Sequence, residues 1–150
     1  MSLMRGVSLL TALLVPLSGV GPDVAAQAPE GHSGVVVDAA ALENALPEMS
    51  AAGRARLLQA VGEKNFSGRI GTKDAKEVAA VNRIGVEELM HQLLPLAKLY
   101  SSPPLTGYRV GVVAKGKSGA LYLGANLEVP GTTLGASVHG EQSAIANASA

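Results

Sequence analysis

The chain has 150 residues, 47% of them hydrophobic and 16% charged, which gives the length and composition of one globular domain. Twelve Lys and Arg balance twelve Asp and Glu, and aromatic residues make up 3% with no Trp, which argues against both a phosphate-neutralising surface and a base-stacking strip for nucleic acid. There is no cysteine, which excludes a disulfide scaffold and any thiolate metal site built from this chain alone.

Residues 1–28 stand apart from the rest. Arg5 supplies a positive charge, residues 6–20 are an apolar run containing Pro16, and no acid occurs before Asp23. Ala26-Gln27-Ala28 is a small-x-small triplet. This is the layout of a secretory or other targeting segment, and the apolar run is too short for a membrane span. Residues 29–37 form a linker of mostly small residues that includes His32.

From Asp38 onward the apolar spacing is helical. Leu42, Ala45 and Leu46 lead up to Pro47, and Leu57, Leu58 and Val61 follow. Thr72 is placed to cap a short helix carrying Val78 and Val81. The clearest helix is predicted over 86–100, where Val86, Leu89, Met90, Leu93 and Ala97 make one core-facing stripe. Pro95 lacks an amide donor and predicts a kink.

After Pro103-Pro104 the period changes. Strands are predicted over 108–114 and 120–125, joined by a turn at Lys115-Gly116-Lys117-Ser118-Gly119. A loop over 126–137 is broken by Pro130, Gly131 and Gly135. A last helix is expected from near Ser137 through Ala148, with Ala144, Ile145 and Ala148 inward. Helices, hairpin, loop and helix in that order open an α+β or layered domain without its later strands.

Two short features carry polar chemistry. His139-Gly140-Glu141 puts an imidazole and a carboxylate at a helix start, where the macrodipole favours anions. Taken alone, H-x-E is equally a pair of helix-start side chains facing water. Asn126-Leu127-Glu128 ends the second predicted strand, and strand alternation places Asn126 and Glu128 on one face. An amide beside a carboxylate is a donor–acceptor pair for sugar hydroxyls, and equally a polar strand end entering a turn. His91, beside Met90 on the long helix, reads as a structural residue. Asn65-Phe66-Ser67 and Asn147-Ala148-Ser149 fit the N-glycosylation pattern, and a sugar on Asn147 would sit on the helix just behind His139.

Taken together, the ordered blocks Pro104-Leu105-Thr106-Gly107-Tyr108-Arg109-Val110-Gly111, Tyr122-Leu123-Gly124-Ala125-Asn126-Leu127-Glu128 and Val138-His139-Gly140-Glu141-Gln142-Ser143-Ala144-Ile145 resemble cytidine deaminases, most of all the long homodimeric class of bacteria and plants. The similarity runs back through Gln92-Leu93-Leu94-Pro95-Leu96-Ala97 and, more weakly, to Phe66, covering about half the chain. The resemblance implies a three-layer α/β/α fold, here incomplete. It divides the chain into a helical N-terminal region over 38–102 and part of a catalytic domain over 103–150. It implies His139 as a ligand to Zn2+, Glu141 as the proton shuttle, Asn126 and Glu128 on the ribose hydroxyls, and Tyr108 against the pyrimidine. The implied reaction is zinc-dependent hydrolytic deamination of cytidine or deoxycytidine, a step of pyrimidine salvage, in a cytoplasmic homo-oligomer that binds neither nucleic acid nor membrane.

The chain departs from the family's pattern twice. Gly140 stands where the family has alanine, at a cost in helix propensity of about 1 kcal/mol. The P-C-x-x-C segment that supplies two thiolates to the zinc is absent. These departures predict a truncated sequence, inactive alone; the alternative is a non-catalytic remnant serving as a structural or interaction module.

Overall fold

In the computed structural model, the described residues are 8–9, 37–62 and 66–150. The targeting-type features of residues 1–28, the linker His32 and the Asn65 glycosylation triplet therefore lie wholly or largely outside them.

Helix α1 (Ala39–Ala45) starts at Asp38, whose carboxylate accepts the Ala41 amide at 2.7 Å, and Pro47 follows close behind it. Helix α2 (Ala51–Val61) is capped by the Ser50 hydroxyl, which accepts the Gly53 amide at 3.0 Å. Leu42, Leu46, Leu57 and Val61 are buried as the spacing predicts. Helix α3 (Thr72–Asn82) differs from expectation at both ends. Gly71 holds the cap position, and Thr72 is the first helical residue, its hydroxyl donating to the Ser118 carbonyl at 2.9 Å. Ala75, Val78 and Ala79 form the buried stripe; Val81 falls to its side and is 44% exposed. Arg56 of α2 donates to Glu77 of α3 at 2.9 and 2.6 Å and also pairs with Asp74, which pins the two helices together.

Helix α4 (Val86–Lys98) buries Leu89, Met90, Leu93 and Ala97 as predicted, together with Leu94 and Leu96. The helix runs through Pro95, which sits on its exposed side. Six contiguous or near-contiguous apolar positions widen the buried surface beyond one stripe because α4 lies between α1 and α3 on one side and the sheet on the other.

The sheet is antiparallel, with strands β1 (Ser8–Leu9), β2 (Arg69–Ile70), β3 (Gly111–Lys115) and β4 (Leu121–Ala125) in the order β1-β3-β4-β2. The predicted hairpin is β3–β4, in register from Gly111 opposite Ala125 to Lys115 opposite Leu121. Gly119, at φ 88°, supplies the left-handed backbone of its turn. Strand β2 has only two residues, too short to leave a period in the sequence.

Strand alternation sorts the core. Val113, Leu121 and Leu123 join the main cluster built on α1–α4, whereas Val112 and Ala114 pack with Ala144 of the last helix, α5 (Gly140–Ser149). An α+β arrangement with helices on both faces of the sheet follows. Glycines allow the closest approaches. A Cβ on Gly111 would stand 2.6 Å from the Leu94 carbonyl oxygen, and one on Gly124 would stand 2.4 Å from both the Ala144 amide and the Gly140 carbonyl oxygen. No helix among the described residues is long and apolar enough to cross a membrane.

Candidate active site

Strand β3 begins at Gly111, three residues later than the apolar run predicts, and the reason lies in Asn126. Its side-chain Oδ1 accepts the Val110 amide at 2.9 Å, and its Nδ2 donates to the Tyr108 carbonyl at 2.8 Å. The Asn126 amide still donates to the Val110 carbonyl at 3.3 Å, but its side chain takes up the Val110 amide and the Tyr108 carbonyl, and the regular ladder ends at Gly111. Asn126 Oδ1 also accepts the hydroxyl of Ser101, which is buried just past the end of α4.

The next residue, Leu127, bridges two segments. It pairs in antiparallel fashion with Val138 and in parallel with Ser102. The Ser102 amide donates to the Asn126 carbonyl at 3.0 Å, and the Glu128 amide donates to the Ser102 carbonyl at 2.9 Å. Asn126 and Glu128 therefore flank Leu127 on the opposite face, as alternation requires.

Glu128 is only 5% exposed. One carboxylate oxygen accepts the Leu105 amide at 2.8 Å and the Thr106 amide at 2.9 Å, and the other accepts the Thr106 hydroxyl. Burial by itself pushes the carboxyl up, but the Thr106 and Leu105 hydrogen bonds outweigh it and hold the group below the usual carboxylate range. Glu128 is thus an ionised anchor for the loop ahead of β3.

Helix α5 starts one residue after His139, which is the cap position, with the Gln142 side chain accepting the His139 amide at 2.9 Å. The helix begins about three residues later than the expected start near Ser137 because Val138 is spent on the bridge to Leu127. Glu141 lies in the first turn, where the macrodipole favours a carboxylate. Of the three residues expected inward, Ala144 is fully buried, and Ile145 and Ala148 are half-buried.

All five residues singled out in the sequence line one cavity of about 360 Å³: Tyr108, Asn126, Glu128, His139 and Glu141. Thr106 and Ser137 line it too, and the Ser137 hydroxyl is buried without a hydrogen-bond partner. The roles of Ser101 and Thr106 had no signal in the sequence, since single hydroxyls in a loop carry no spacing. His91 lies elsewhere, exposed on α4 beside a separate cavity of about 420 Å³. Gly140 is buried, and a Cβ there would stand 2.8 Å from Val112 Cγ2. As the first residue of α5 it does not pay the full cost of a helix-interior glycine, and the close contact with Val112 is what a side chain there would disturb.

The described residues thus form a sheet flanked by helices with a polar cavity at the end of its hairpin, and the chain is similar in sequence to proteins named cytidine deaminase. Proteins of that name from Shewanella pealeana and Shewanella halifaxensis are 45% and 43% identical to this chain over 86 residues, 57% of its length. The one from Shewanella baltica is 42% identical over 85 residues. The matched stretch is 29% of each relative, so the chain spans under a third of the length of these proteins. No family model matches the chain.

Proposed function

We propose that residues 103–150 are the nucleoside-holding part of a cytidine deaminase catalytic domain with α/β/α layering, and that 38–102 form its helical lead-in. The reading makes the protein part of a hydrolase that exchanges the C4 amine of cytidine or deoxycytidine for oxygen from water, as in pyrimidine salvage. The observation that carries it is the single cavity shared by Tyr108, Asn126, Glu128, His139 and Glu141, together with the similarity to proteins of that name.

Hydrogen-bond capacity supports the assignment of a sugar subsite. Glu128 has accepted three hydrogen bonds out of about four, and Asn126 has used one of its two Nδ2 hydrogens among the described residues. One acceptor and one donor remain, which is what one hydroxyl needs. Tyr108, 41% exposed on the cavity wall, offers a ring face for a pyrimidine. Glu141 is the group that moves protons: its carboxylate takes one from the attacking water and one passes to the departing amine, which leaves as ammonia.

The zinc implied by the family does not fit this chain's own donors. His139 is one imidazole, there is no cysteine, and no group of three or more His, Cys, Asp or Glu among the described residues is placed to hold a metal. A zinc centre here would take two further donors from outside the residues of this chain.

The test is a titration of the 15N-labelled chain with cytidine and with free cytosine. Signals of Tyr108, Asn126 and Glu128 are expected to shift with cytidine, and those of Asn126 and Glu128 to stay still with cytosine. Shifts confined to surfaces away from the cavity overturn the reading. Six exposed apolar side chains, Leu105, Tyr108, Leu127, Val129, Leu134 and Val138, lie on or near the segments that form the cavity, and they favour homo-oligomer contact or, as a second reading, a non-catalytic interaction module. Association without any nucleoside response selects the second.

A further inference from the structure

Three partners hold the Asn126 amide, and they come from two different parts of the fold. Val110 N–H and Tyr108 C=O belong to one short segment after Gly107, whose φ of 70° marks a turn. Ser101 is different. It is 5% exposed, its amide donates to the Lys98 carbonyl at 3.1 Å, and its carbonyl accepts Arg109 Nη1 at 3.1 Å, so it is fixed at the exit of α4. Its hydroxyl is the only partner of the Asn126 side chain outside residues 108–110 among the described residues.

Without that hydroxyl, the amide is tied only to the segment it holds and moves with it. With it, the amide plane is referenced to a buried helix end. We propose that Ser101 is a positioning residue for Asn126, fixing the remaining Nδ2 hydrogen as a donor to a ligand hydroxyl in the cavity. The ligand part of this proposal rests on the nucleoside reading above; the positioning part does not.

The experiment follows the Asn126 side-chain NH2 signals of the full 15N-labelled chain. Ser101→Ala is expected to move this pair toward the shifts of a free amide, raise its picosecond–nanosecond mobility, and weaken cytidine binding about five- to tenfold, the size of one net hydrogen bond. Ser101→Thr keeps the hydroxyl and is expected to restore all three readouts. If the alanine variant unfolds, Ser101→Cys, close in volume and a weak donor, is read in the same way. Unchanged Asn126 signals in the alanine or cysteine variant overturn the positioning role. Loosened Asn126 signals, in a chain whose wild type responds equally to cytidine and cytosine, uphold positioning and overturn the sugar reading instead.

Discussion

Leu127 and Val138 exchange both of their backbone hydrogen bonds, each at 2.9 Å. This one bridge sets the end of the hairpin beside the start of α5. It puts Asn126 and Glu128 on the same cavity as His139 and Glu141, from segments 11 or more residues apart in sequence.

Glu128 makes the loop ahead of β3 acid-sensitive. Its folded-state pKa lies below the ordinary carboxylate value, so its contribution is fully present above that value and is lost as pH falls through the lower folded one. Unfolding midpoints measured downward through the carboxylate range are expected to fall in the wild type and to fall less in Glu128→Gln. Parallel pH profiles for the two proteins contradict the assignment.

Gly140 and Val112 are expected to be energetically coupled. Gly140→Ala places a Cβ 2.8 Å from Val112 Cγ2, and overpacking of this kind costs about 1–3 kcal/mol. In a double-mutant cycle with Val112→Ala, the second substitution relieves the first, and denaturant unfolding is expected to show non-additivity of about 1 kcal/mol. Additive losses mean that the two sites do not touch as described.

Zinc retention is a further test. The chain dialysed from equimolar zinc is expected to keep well under one ion per molecule, because one histidine does not meet the three protein ligands of a catalytic site. Elemental analysis giving one tightly held zinc per chain contradicts this.

Asn147 fits the glycosylation pattern in sequence but is packed in the fold. Its Nδ2, the atom a glycan needs, donates to the Leu123 carbonyl at 3.2 Å and would stand 2.7 Å from a Cβ at Gly68. Mass spectrometry of the chain expressed through a secretory route is expected to show Asn147 unmodified. A glycan there in a folded protein refutes the packing of α5 on β4.

Much of the fold was legible in residue order. The stripe of α4 and the β3–β4 hairpin follow from local spacing, because period acts within a few residues, whereas the cap expected at Thr72 falls on Gly71. The five candidate site residues were legible as motif blocks. Strand β2 was not, since two residues paired with β4 carry no period, and neither was the exposure of Val81, which depends on which side of α3 meets α2.

The sequence by itself thus determined the helices, the hairpin, the lack of thiolate donors and the identity of the polar residues at the ends of β4 and α5. Only the tertiary structure decided that these residues share a cavity, that Asn126 cuts β3 short, and that Gly124 and Gly140 let α5 lie against the sheet. The physical reason is range. Propensity and capping are settled within one turn or strand, whereas a cavity is made by backbone bonds and close contacts between segments far apart in the chain.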